Sequence, residues 1–247
     1  MSITIIGIDC AVNEKDIGVA VGNYSDGTCS VLPLPNQDYA RPISEFVCDW
    51  IKRSKQTLLA LDAPLGWPCA LGKTLVGHVA GAGIDIPSEF LFRRATDRFV
   101  KSQFEKQPLD VGADRIARTA RAALELLEKI RQETGLEIPI AWTSGYTGKA
   151  AAIEVYPAGS LISHGLPASG YKKKDQISVR RQILRGLKSL IQLDINLTLA
   201  ETNPDILDAI VCVLAGSDFL AGYALPPVDL DDAKKEGWIW IRGFKRT

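Results

Sequence analysis

The sequence predicts an α/β fold with a mixed sheet, and three observations carry that prediction. Two short runs, Ile3–Asp9 (ITIIGID) and Thr57–Asp62 (TLLALD), are almost wholly apolar, as expected of central strands buried on both faces. The tetrapeptide Tyr24–Gly27 (YSDG) separates two strand-like stretches and is a hairpin turn signal. Between the second of those stretches and TLLALD, the residues Ile43, Phe46, Val47, Trp50 and Ile51 recur at helical spacing.

Taken in order, ITIIGID is followed by DIGVAVGNY and GTCSVLPLP as the arms of a meander. RPISEFVCDWIKRS is a helix, with Pro42 and Ser44 near its start. The order β-β-β-α-β makes this helix a crossover, which lets the strand TLLALD run parallel to the first. From about residue 66 to 139 the composition changes. WPCALGKTLVGHVAGAGIDIPS reads as loop with short helical pieces, EFLFRRATDRFVKSQF as helical, and ADRIARTARAALELLEKIRQETG as a long amphipathic helix stopped by Gly135. This block is expected to be a helical insertion lying over the sheet, within one domain spanning residues 1–247; helices packed as ordinary core elements are the other arrangement open to it. KAAAIEVYPAG adds a short strand ended by Pro157, and DQISVRRQILRGLKSLI an amphipathic helix. TNPDILDAIVCVLAGSDFLAGY is a more apolar helix with Thr202 or Asn203 as N-cap and Pro204 at its first position. EGWIWIR is the candidate last strand.

Composition narrows the chemistry. Lys plus Arg and Asp plus Glu balance at 29 each in 247 residues, so no global charge draws the chain to polyanions or membranes. Hydrophobic residues make up 46%, enough for a sizeable core. The five cysteines form no CxxC pair, which suits a reducing compartment. The first apolar run lacks a basic flank and ends on Asp9, unlike a signal peptide, and no run is long enough to span a membrane. A cytoplasmic protein is expected. With only His78 and His164 present, both read as surface or capping residues, a multi-histidine zinc site is excluded. Carboxylates, arginines and lysines must therefore carry any catalysis.

Asp9 and Asp62 each end an apolar strand, and parallel strands present their carboxyl ends at the sheet edge where ligands bind. One such Asp is often just a turn former. Two at matching strand ends form a close like-charge pair, which is costly without a cation between them. Mg²⁺ and Mn²⁺ favour such oxygen ligands. Asp205 and Asp208 share a helix face, continued by the small residues Ala209, Cys212, Ala215 and Gly216, so that helix can approach the sheet closely. Asp205 also suits a first helical turn. Asp208 lies deeper in an apolar run, where an unpaired carboxylate is expensive. Glu154 interrupts an apolar strand; an exposed edge and the same cavity are both open to it.

GIDCA, LDAPLG, RRATDR, EVYPA, GYKKK, NPDILDAIVCVLAG and EGWIWIR, in this order, resemble the family known as domain of unknown function 429, predicted nucleases with an RNase H-like fold. The resemblance covers nearly the whole chain. It implies a sheet with acids on the first strand, the fourth strand and a late helix, positions that fall on Asp9, Asp62, Asp205 and Asp208. It further implies hydrolysis of phosphodiester bonds with two Mg²⁺ or Mn²⁺ ions about 3.5–4 Å apart. Asp9 would bridge them, Asp62 and Asp208 would complete the two spheres, and Asp205 or Glu154 would position water. Nucleic acid or another phosphoester is the implied partner.

Other basic residues have two readings. Arg93, Arg94 and Arg98 suit a phosphate clamp, or a solvated helix face with Asp97 as partner. Tyr171 and Lys172 suit base stacking beside a phosphate contact, or a charged surface loop. ALGKT imitates the end of a phosphate-binding loop but has Trp67 where glycine is required, so Lys73 and Thr74 are assigned to loop. Two other functions compete with the nuclease: an actin-like or sugar-kinase-type phosphotransferase, which needs a second β-β-β-α-β unit, and a non-catalytic nucleic-acid-binding protein on the same fold.

Overall fold

In a computed structural model, residues 2–34, 41–112 and 114–244 are described. Pro35, the end of the third strand-like stretch, and Ala113, the first residue of the long helical run, lie outside them. The sheet strands are β1 (Ile3–Asp9), β2 (Gly18–Ser25), β3 (Thr28–Val31), β4 (Thr57–Asp62), β5 (Ala150–Glu154) and β6 (Gln192–Leu193). They lie in the order β5-β4-β1-β2-β3-β6. The strands β1, β2 and β3 form the antiparallel meander, and β4 joins β1, and β5 joins β4, in parallel. The hairpin turn has Asp26 and Gly27 at positive φ, 52° and 80°, the left-handed pair that a tight two-residue turn demands. The pairing of β6 with β3 was not foreseen; it rests on two residue pairs, too short a segment for any periodicity.

The helices are α1 (Ile43–Arg53), α2 (Cys69–Leu75), α3 (Ser88–Phe92), α4 (Ala95–Phe104), α5 (Asp114–Thr134), α6 (Pro157–Ser163), α7 (Ile177–Leu187), α8 (Leu197–Thr202), α9 (Pro204–Leu220) and α10 (Leu230–Glu236). Lys73 and Thr74 lie within α2 and not in a loop. EFLFRRATDRFVKSQF is broken at Arg93 and Arg94 into α3 and α4. Instead of a full strand, EGWIWIR makes isolated bridges, Ile239 to Glu154 and Arg242 to Ala224, although Trp238 and Trp240 are buried packing residues as expected.

Strand alternation divides the core. Ile6, Ile8, Leu59 and Leu61 face Val47 and Ile51 of α1 and Leu127 and Ile130 of α5. Thus α5, within the region expected to lie over the sheet as an insertion, packs as a core helix beside α1. The alternate residues Ile5, Leu58 and Ala60 face α9. That helix is buried almost all round, from Leu207 to Gly216, which explains its nearly uninterrupted apolar sequence.

Close contact between α9 and the sheet depends on glycine. A Cβ on Gly7 would lie 2.1 Å from the carbonyl oxygen of Ala209, and one on Gly18 2.0 Å from that of Asp205. These two positions bring the first turns of α9 against β1 and β2, with Asp208 beside the end of β1. Asn203 is the N-cap: its Oδ1 accepts the Asp205 N–H at 2.8 Å. Asn203→Ala is expected to lower stability by about 1 kcal/mol, read as a shifted urea midpoint with an unchanged slope. Among the described residues, no helix is long and apolar enough to cross a membrane.

Candidate functional site

Asp9 and Asp62 are direct partners in the parallel β1–β4 register. Counting back by two from each reaches Gly7 and Ala60, so both carboxylates sit on the α9 face at the strands' carboxyl ends. Asp208 reaches them from the second turn of α9. One oxygen from each of Asp9, Asp62 and Asp208 lies within 4.8 Å of the others. Asp9 is 8% exposed and Asp208 fully buried, with Asp62 partly so. Asp205 is half-buried one turn earlier, near the cluster but outside this trio.

Two groups engage Asp208. The Tyr171 hydroxyl donates to Oδ1 at 2.7 Å, and the Lys172 ammonium lies 2.5 Å from Oδ2. Among the described residues no N–H donates to the carboxylates of Asp9 or Asp62. Their electrostatics follow. Burial, then the charge of Asp62, pushes the Asp9 carboxyl up to about 9. Burial, reinforced by Asp208 and opposed by Lys172, pushes Asp62 up to about 7. Burial also raises Asp208 against the opposing pull of Lys172 and Tyr171, and raises Asp205. Burial works against the charge of Lys172, but Asp208, Asp62 and Asp9 outweigh it and hold the ammonium strongly protonated.

Asp9 and Asp62 form part of the wall of a cavity of about 240 Å³ that Glu154 and Arg94 also line, together with Pro64, Leu109, Ile116 and Thr119. Asp62 and Lys172 also line a second cavity of about 450 Å³. Tyr156 borders both cavities. Neither it nor Leu109 was singled out in the sequence. The position of Tyr156 just past the tip of β5 was the available signal; Leu109, on an irregular segment, offered none.

Glu154 does not join the trio. It pairs with Leu61 and not Asp62 in the β4–β5 register, which turns it to the opposite face. Its carboxylate instead takes both terminal nitrogens of Arg94, Nη1 to Oε2 at 2.8 Å and Nη2 to Oε1 at 2.6 Å, and the Leu65 N–H at 3.0 Å. Arg94 is correspondingly no phosphate clamp. It is 1% exposed, and its five N–H groups are all taken: two by Glu154, two by Asp97 (Nε to Oδ2 3.1 Å, Nη2 to Oδ1 2.9 Å) and one by the Glu236 carbonyl at 3.1 Å.

Arg93 pairs with Asp110 at 2.8 Å, and Arg98 donates to the Arg93 carbonyl at 2.6 Å while lying over the Phe90 ring. Neither lines the two cavities that Asp62 borders. Tyr171, 3% exposed, has no free face for base stacking. Lys172 is exposed along its stem like Lys173 and Lys174, but its ammonium turns to Asp208. His164 is not a surface residue either: its side chain is buried and its Nε2 lies 2.7 Å from Asp218.

The family described as "Protein of unknown function (DUF429)" matches residues 7–233, and the chain belongs to it. No curated protein and no solved structure matched the chain.

Proposed function

We propose that the protein is a divalent-cation-dependent nuclease that hydrolyses phosphodiester bonds on an RNase H-like sheet. The observation that carries this reading is the convergence of Asp9, Asp62 and Asp208, from two strands and a helix, with their oxygens within 4.8 Å. The RNase H-like assignment is supported by the strand order β5-β4-β1-β2-β3 and by the parallel β1–β4–β5 and antiparallel β1–β2–β3 pairings. Acids at the ends of β1 and β4 and on the late helix α9 fit the same pattern.

The donors suit a hard cation. They are all carboxylate oxygens, and Asp9, nine-tenths buried, receives no N–H bond among the described residues to compensate its charge. Asp9, Asp62 and Asp208 would hold Mg²⁺ or Mn²⁺. Such an ion activates water and offsets charge developing at the phosphorus. The protein's own part is positional. Asp9 and Asp62 are fixed by paired strands, and Asp208 by Tyr171 and Lys172. The apolar wall formed by Pro64, Ile116 and Ile239 limits water on the cavity side. Asp205, half-exposed one turn before Asp208, would hydrogen-bond an incoming water in this reading.

The test is cleavage of single-stranded, duplex and branched DNA and RNA by the full chain with Mg²⁺ and with Mn²⁺. Wild type should cleave at least one substrate, and Asp9→Asn should abolish that cleavage. Wild type inert on every substrate with both metals would overturn the reading. Inert protein that keeps nucleic-acid affinity after Asp9→Asn would favour the binding-protein alternative. The phosphotransferase alternative needs a second β-β-β-α-β unit, and the described residues contain one.

A further inference from the structure

The trio carries an unequal charge. With all three carboxylates ionised, as they are when they ligate a metal, the one ammonium at 2.5 Å leaves two negative charges, the amount that one divalent cation neutralises. Two such cations would leave the buried trio with Lys172 net positive.

Lys172 is held in place from both sides. Tyr171, 3% exposed, is anchored through its hydroxyl to Asp208. Arg180 is 1% exposed, yet among the described residues its side-chain hydrogen bonds all go to backbone carbonyls. It donates from Nη1 to Tyr171 and Lys173, from Nη2 to Lys174 at 3.3 Å, and from Nε to Glu201 at 2.6 Å. A buried guanidinium thus pins the chain immediately before and after Lys172, and ties that loop to α8. The Lys172 side chain is 55% exposed, so its stem runs over the surface while its head reaches an otherwise buried carboxylate. A merely solvated surface lysine would need no such anchorage.

We propose that the Lys172 ammonium fills the position of a second cation, so that the trio takes one divalent ion beside a built-in positive charge on Asp208. This departs from the two-ion arrangement implied by the family resemblance. It rests on the reading of the trio as a metal site.

Mn²⁺ alone is the probe, with the full chain, using equilibrium dialysis for stoichiometry and electron paramagnetic resonance for the spacing of bound ions. Wild type should bind one Mn²⁺ per chain with the spectrum of an isolated ion, and Asp9→Asn should lose it. Lys172→Met should bind two, with the spectrum of an exchange-coupled pair. Lys172→Arg, which keeps the charge, should stay at one. Lys172→Gln serves in place of Met if the apolar side chain leaves that variant insoluble, and it should also bind two. Two coupled ions in wild type, or one in both the wild type and the uncharged variants, would overturn the lysine proposal while leaving the metal site standing. No Mn²⁺ on wild type beyond that on Asp9→Asn would overturn the metal reading itself.

Discussion

Arg94→Met is expected to cost about 3–5 kcal/mol, enough to unfold much of the protein at moderate temperature, because it strands Glu154 and Asp97 as buried, uncompensated charges. Arg94 joins β5 to α4 and, through the Glu236 carbonyl, to α10. The Glu236 carboxylate continues the link by accepting the N–H groups of Cys69 and Ala95, both at 2.7 Å, at the starts of α2 and α4. Arg94→Lys should rescue little, since an ammonium cannot make the two forked pairs. Urea denaturation is the measurement. Arg94→Met combined with Glu154→Met should be less damaging than the two single losses added together, because each single change leaves the other partner unpaired. A phosphate clamp would behave differently: Arg94→Met would then fold normally and lose only substrate affinity. A midpoint close to wild type would show that the network does not hold these elements together.

Asp9→Asn is expected to stabilise the metal-free protein even as it removes the proposed metal site. The folded Asp9 carboxyl sits at about 9 against 3.8 for the ordinary group, and Asp62 at about 7. Both are raised, so the folded state binds protons more tightly than the unfolded chain. Their effect on stability is therefore neutral at acid pH, below the unfolded value. It becomes a growing loss as pH climbs from about 4 towards 9. Asparagine keeps the shape and sheds that loss. With chelator present, the variant should exceed wild type by about 2 kcal/mol at pH 8, or a melting temperature higher by about 4–8 °C, and the gap should shrink at pH 5. Thermal melts at the two pH values read it directly. A gap that does not change with pH, or a wild type more stable at pH 8, would mean that Asp9 does not carry this repulsion.

The two expectations also explain why so many polar residues of this chain resist interpretation one at a time. Asp9 costs stability where no opposite charge is paired with it; Glu154 and Arg94 line the same cavity but pair with each other and hold the fold. All three are buried ionisable residues, and only their partners separate the roles.

Local sequence was enough for the meander, the crossover helix, β4 and the parallel relation of β4 to β1, because apolar runs and turn residues act over a few neighbours. It was also enough to nominate Asp9, Asp62 and Asp208. A carboxylate ending a buried strand, or set inside an apolar helix, conflicts with its surroundings, and that conflict is visible in one dimension. Asn203 and Pro204 marked the start of α9 for the same local reason. Tertiary structure alone decided the rest. Register put Asp62 opposite Asp9 but Leu61 opposite Glu154, and a shift of one residue reverses the face of a side chain without changing the strand's composition. Arg94 found Glu154 across 60 positions, Arg180 found Glu201 across 21, and Tyr171 was drawn inside by Asp208. A charged residue's meaning depends on which partner the packed chain brings to it, a carboxylate for Arg94 and backbone carbonyls for Arg180, and that partner is set by the fold rather than by spacing along the sequence.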